Sequence, residues 1–139
     1  MIWIEVQLER SSMLVMEGYR QFTIPHKIRK KVTDKRENPE FRFNLMLEMI
    51  KKALKENKDT MIIMDTNIDT SKKRAKNIRT PSKMTRTFEE FLLRNKLQIM
   101  NEELTRFESN VEPTCIDHII TNIPQRISKV QTTTNIVID

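Results

Sequence analysis

One stretch of this sequence constrains everything around it: Phe43, Met46, Leu47, Ile50 and Leu54 recur at helical spacing, with Lys51, Lys52, Lys55 and Glu56 on the other faces. Asn38 and Pro39 precede it, a capping side chain followed by a residue whose missing N–H costs nothing in a first turn. The pattern predicts an amphipathic helix of about four turns that must lay one face on a partner layer. The partner follows directly. After a break at residues 57–59, Thr60-Met61-Ile62-Ile63-Met64 runs without a charge. Such a run predicts a short central strand buried on both faces.

Around this unit the chain reads as shorter pieces. Residues 2–8 alternate Ile2, Ile4 and Val6 with Trp3, Glu5 and Gln7, a strand pattern. Residues 12–19 predict a second strand, with a hairpin turn between the two. Residues 22–37 are polar and basic and read as a loop. Residues 71–86 hold Lys72, Lys73, Arg74, Lys76, Arg79, Lys83 and Arg86 with no acid, and read as a basic loop. Thr87 and Glu90 then have capping-box spacing and open a short helix with Phe88, Phe91 and Leu92 inward. Strands are expected over residues 97–100, 115–121 and 127–139. The order predicts a single α+β, or mixed α/β, domain.

Composition narrows the setting. A chain of 139 residues is long enough for one domain and buries roughly two-thirds of its unfolded surface. Its core must draw on nine Met, because there are only six Phe, one Trp and one Tyr. Met packs adaptably and specifies a core weakly. The single Gly leaves few residues suited to positive φ. A net charge of +6 favours a polyanionic partner such as nucleic acid, or an acidic membrane surface. The one cysteine, Cys115, excludes an internal disulfide and fits a reducing compartment. The sequence has no span-length apolar run and no signal-peptide pattern. An intracellular protein without a membrane partner is therefore expected, and Lys72-Lys73-Arg74-Ala75-Lys76 has the composition of a nuclear-import signal.

Candidate chemistry sits at strand ends. Asp65 and Asn67 follow the central strand directly, where alternate residues point the same way. A carboxylate can orient and deprotonate water, and a neighbouring amide can hold that water or a phosphate oxygen. An ordinary turn explains the same pair, since Asp and Asn favour turns. Tyr19-Arg20 ends the second strand; the tyrosine reads either as a phosphate contact or as a half-buried strand aromatic. Asp117 lies inside the apolar stretch Ile116-Asp117-His118-Ile119, and Asp139 ends the last expected strand. His26 and His118 read as surface residues, because no second ligand sits at metal spacing. Cys115 reads as a small core residue.

Taken in order, these pieces resemble the endonuclease/exonuclease/phosphatase superfamily, and most closely the endonuclease domain of non-LTR retrotransposons. Trp3 and Tyr19-Arg20 look like its "W…YR" strands, and Asp65-Thr66-Asn67-Ile68-Asp69 is similar to its "GDFN" signature continued as "ID". Thr105-Arg106 resembles a Thr-Arg pair of these elements, Ile116-Asp117-His118-Ile119 its "IDHI" strand, and Ile138-Asp139 the start of its terminal "SDH" motif. Met64 replaces the signature Gly, Thr66 the Phe, and Ile138 the Ser.

The resemblance implies part of a four-layer α/β sandwich, a metal-dependent DNA endonuclease fold. It implies that Asp65 orients the attacking water, Asn67 helps place it and the phosphate, and Tyr19 contacts the scissile phosphate. Asp117 would orient a catalytic His, and Asp139 would lie by Mg2+ or Mn2+. Arg20, Lys72, Lys73 and Arg74 are the expected nucleic-acid contacts. That His, a metal-binding Glu and its nearby Asn belong to segments beyond Asp139 and before Met1. The chain therefore reads as a domain truncated at both ends and inactive alone. Its partners would be DNA, the missing N-terminal half and a reverse transcriptase domain. Two other readings stay open: a non-catalytic basic nucleic-acid-binding remnant, and a phosphoesterase of the same superfamily acting on a phosphoinositide or a small phosphoester.

Overall fold

A computed structural model describes residues 1–20, 38–71, 81–101, 103–108 and 111–130. The basic loop from Lys72 to residue 80, the loop that includes His26, and Asp139 lie outside the described residues.

The predicted hairpin forms: β1 (Ile2–Gln7) and β2 (Ser12–Tyr19) pair antiparallel, with Ile2 opposite Glu17 and Gln7 opposite Ser12. Helix α1 spans Pro39–Leu54, and the Asn38 side chain accepts the Glu40 N–H at 2.9 Å. Its stripe buries Phe43, Met46, Ile50 and Ala53. Strand β3 (Asp59–Asp65) then returns parallel to β2, as a strand–helix–strand crossover requires. Helix α2 (Lys83–Arg94) is followed by β4 (Gln98–Ile99), a small β5 (Arg106–Glu108) and β6 (Val111–Thr114) hairpin, and β7 (Asp117–Thr121). A short 3-10 turn spans Pro124–Arg126. Two helices thus accompany a mixed five-stranded sheet in the order β1-β2-β3-β7-β4, an α+β arrangement.

Register decides which face is covered. Met16, Ile62 and Ile120 stand in one row across β2, β3 and β7, and all are buried in one cluster with Phe43, Met46, Ile50, Phe88, Phe91 and Leu92 from the helices. Both helices therefore supply the core over this face. Each fully buried apolar side chain contributes about 1.5–3 kcal/mol relative to exposure. The opposite face carries Ile2, Ile4, Val15, Met61, Ile63 and Ile119, and Ile2, Ile4 and Ile63 are 63%, 56% and 44% exposed. So β3 is central, as expected, but among the described residues it is covered on one face and not on both.

Three further expectations are corrected. Helix α2 begins earlier than the Thr87 capping box: Ser82 is its N-cap and its side chain accepts the Thr85 N–H at 3.0 Å. Thr87 bonds back to the Lys83 carbonyl at 3.0 Å, inside the helix. The β5–β6 hairpin was not anticipated. Residues 127–130 take no regular structure, so the described start of the last expected strand is not a strand.

Candidate active site at the end of strands β2, β3 and β7

The open face of the sheet brings Tyr19, Asp65 and Asp117 into one row. Tyr19 is the register partner of Asp65 on one side, and Asp117 is its partner on the other. A cavity of about 380 Å³ opens beside this row, lined by Asp65, Asp117, Glu17, Asn101 and Thr105 among others. Tyr19 is 65% exposed, so its phenol meets solvent and is not the half-buried strand aromatic that was its alternative. Asp117 is exposed and Asp65 is part-buried. Burial raises the Asp65 pKa above the ordinary carboxylate value, and the Asp117 charge adds to the rise, against the Asn67 backbone N–H, Arg106 and Arg20. A carboxylate with raised proton affinity is a better base towards water.

Asn67 does not join the row. Strand alternation stops at Asp65, where the chain turns and Asn67 adopts a left-handed φ of 50°. Its backbone N–H donates to Asp65 Oδ1 at 2.8 Å, an Asx turn. Its side-chain amide donates to the Arg20 carbonyl at 2.6 Å. The geometry of this pair is that of the turn: it engages one Asp65 oxygen, and the Asn67 amide is taken up by the Arg20 carbonyl.

Arg20 differs from its expected role. It is 3% exposed, with the guanidinium donating to the Thr66 and Asn67 carbonyls and its Cζ 5.9 Å from the centre of the Phe43 ring. A side chain so enclosed cannot reach the phosphates of a docked duplex. Burial lowers its pKa, and the Asp65 charge opposes that effect.

His118 is also corrected from surface to core, at 1% exposure. It faces the helix-covered side: Nδ1 lies 2.9 Å from Thr66 Oγ1, Nε2 lies 2.8 Å from Thr70 Oγ1, and the ring tilts against Phe88. Burial pushes its pKa down to about 4, against the charges of Asp117 and Asp69. The imidazole is neutral and is turned away from Asp117. Cys115 is buried as expected, and burial raises its thiol pKa.

Two residues that position Asp117 were missed or known only by resemblance. Thr105 Oγ1 accepts the N–H groups of Ile116 and Asp117, both at 3.1 Å. Asn101 bridges the two sides of Asp117: Nδ2 donates to the Asp117 carbonyl and Oδ1 accepts the Ile119 N–H, each at 2.7 Å. Its amide thereby stands in for a strand residue beside β7. Asn101 carries no motif, and only the pairing of β4 with β7 reveals it. Asp69 is structural as well, accepting Ser71 and Cys115 N–H groups at 3.0 and 3.2 Å. Lys72, Lys73, Arg74 and Asp139 fall outside the described residues.

The donor set bears on a metal. No group of three or more His, Cys, Asp or Glu side chains among the described residues could hold an ion. A dedicated cage is therefore not offered there. Mg2+ is commonly bound through one or two carboxylates, with water and phosphate oxygens completing its shell, and the Asp65–Asp117 pair fits that weaker mode. No helix among the described residues is long and apolar enough to cross a membrane. The chain matches no protein-family model, and no curated protein matches it.

Proposed function

We propose that this chain carries part of a phosphodiester-cleaving site of the endonuclease/exonuclease/phosphatase type, on one half of a four-layer sandwich, acting on DNA with Mg2+ or Mn2+. The observation that supports it is the cross-strand row Tyr19–Asp65–Asp117, formed by residues that the resemblance assigns to one site. The apolar open face supports the sandwich, because such a face needs a second layer.

Within this reading Asp65, steadied through Oδ1 by the Asn67 N–H, uses its other oxygen to orient a water and take its proton. The exposed Tyr19 phenol donates to a phosphate oxygen on the same face. Asn67 acts mainly through the turn it builds. Asp117, held by Thr105 and Asn101, serves the proton carrier that the resemblance places after Asp139. A divalent ion, when bound at Asp65 and Asp117, would offset charge on the phosphate and leaving oxygen.

Nicking of supercoiled plasmid tests the assignment. Cleavage should require Mg2+ or Mn2+, should need a chain that also carries the Glu- and His-bearing segments, and should fall to background in Asp65→Ala. Metal-dependent nicking that survives Asp65→Ala would remove Asp65 from the reaction.

A second reading, a basic nucleic-acid-binding module without catalysis, is favoured by the net charge of +6. It expects duplex binding that weakens steeply between two salt concentrations and again on charge reversal at Lys72, Lys73 and Arg74. Asp65→Ala should leave that binding unchanged.

A further inference from the structure

Arg20 follows Tyr19 at the end of β2 and takes three successive carbonyls of the facing corner. Its main-chain N–H donates to the Asp65 carbonyl at 2.9 Å, Nε donates to that of Thr66, and Nη2 donates to that of Asn67 at 3.1 Å. The Arg20 carbonyl accepts the Asn67 side-chain amide in return. Enclosing a guanidinium carries a desolvation cost, whereas attracting DNA needs only an exposed cation. The planar fork of arginine matches two neighbouring carbonyls, which the point charge of lysine cannot do. The backbone it grips includes Asn67 at φ 50°, a conformation that non-glycine residues enter at a cost.

We propose that Arg20 is a positioning residue: it locks the Asp65–Asn67 corner so that the Asp65 carboxylate stays beside Asp117, its register partner at the cavity, and it does not contact a polyanion. In its consequence for metal binding, this inference rests on the reading of Asp65 and Asp117 as a cation-holding pair.

Charge and positioning predict opposite results. Were Arg20 only a nearby positive charge, Arg20→Met would tighten Mn2+ binding and Arg20→Lys would leave it unchanged. Positioning predicts that Arg20→Lys weakens Mn2+ at Asp65 and Asp117 by ~10-fold or more, as loss of an outer-shell partner does, while the amides of β3 and α1 keep their wild-type shifts. Paramagnetic broadening in the nitrogen-15-labelled full chain reads both. Unchanged Mn2+ affinity in Arg20→Lys, with an unchanged Asn67 amide, overturns the proposal.

If the wild-type chain binds no Mn2+ at this pair, the cation reading fails, and Asn67 alone judges Arg20. Loss of its hydrogen-exchange protection in Arg20→Lys, with the sheet amides still protected, supports positioning; retained protection overturns it. A last measurement needs no variant, should Arg20→Lys fail to fold. The Arg20 Nε–H of the unmodified chain should exchange slowly and keep its shift when a DNA duplex is added. A fast-exchanging Nε–H that moves with DNA overturns the proposal.

Discussion

At the scale of single residues, the fold spends polar side chains on holding loops in place. His118 bridges Thr66 and Thr70 as a neutral imidazole, with its pKa pushed from 6.5 to about 4. Above the unfolded value neither state takes the proton. As pH falls from 6.5 towards 4, the unfolded chain binds a proton that the folded chain refuses, so stability falls, by up to ~1.4 kcal/mol per pH unit. Urea midpoints at pH 7.5 and 5 should therefore separate in the wild type and converge in His118→Gln; equal separation in both would clear His118 of the effect. The shortage of glycine shows at Lys96, which ends α2 in a left-handed φ of 55° within a Schellman turn, Leu97 N–H donating to the Leu92 carbonyl at 2.9 Å. Lys96→Gly should stabilise the chain by about 1 kcal/mol, read as a raised urea midpoint. Sequence named candidates for the chemistry, but not which way they turn. Arg20 and His118 look like surface groups because nothing local says that the third dimension will enclose them. Asn67 looked like a strand residue because alternation was carried past Asp65, where an Asx turn takes over.

At the scale of elements, amphipathic period and the Asn38 cap were legible and charge was misleading. The stripe through Phe43, Met46 and Ile50 and the Asn38 cap appear where spacing places them. The run of cations before Thr87 reads as loop, yet Lys83 and Arg86 occupy the exposed side of α2, because a basic residue facing water is as suited to a helix as to a loop. Ser82 is consequently the cap that counts. Ser82→Ala should cost about 1 kcal/mol, whereas Thr87→Ala, at an exposed position, should stay within about 0.5 kcal/mol; the reverse order in chemical denaturation would restore the capping box. The β5–β6 hairpin escaped notice for the opposite reason. Strands of three and four residues are too short to show a period.

At the scale of the whole molecule, the described helices cover one side of the sheet, and Ile2, Ile4 and Ile63 on the other side are exposed. Ile2 and Ile4 lie on the open face of β1, which has β2 on one side and no strand on the other among the described residues. Apolar edges of this kind promote association. Ile2→Lys with Ile4→Lys should reduce self-association in sedimentation while leaving the melting temperature nearly unchanged, since neither side chain is in the core. A large fall in melting temperature would mean that this face is already covered. The topology also makes the site, because only the parallel return of β3 beside β2 and the antiparallel arrival of β7 put Tyr19, Asp65 and Asp117 in one row. No local pattern encodes that row; only the order of the motifs along the chain hinted at it. Whether the row holds a cation can be measured directly, by titrating the nitrogen-15-labelled chain with Mn2+ and comparing Asp65→Asn. Broadening centred on the amides around Asp65 and Asp117, and lost in the variant, is the predicted result. Broadening spread over surface carboxylates and indifferent to Asp65→Asn would contradict it.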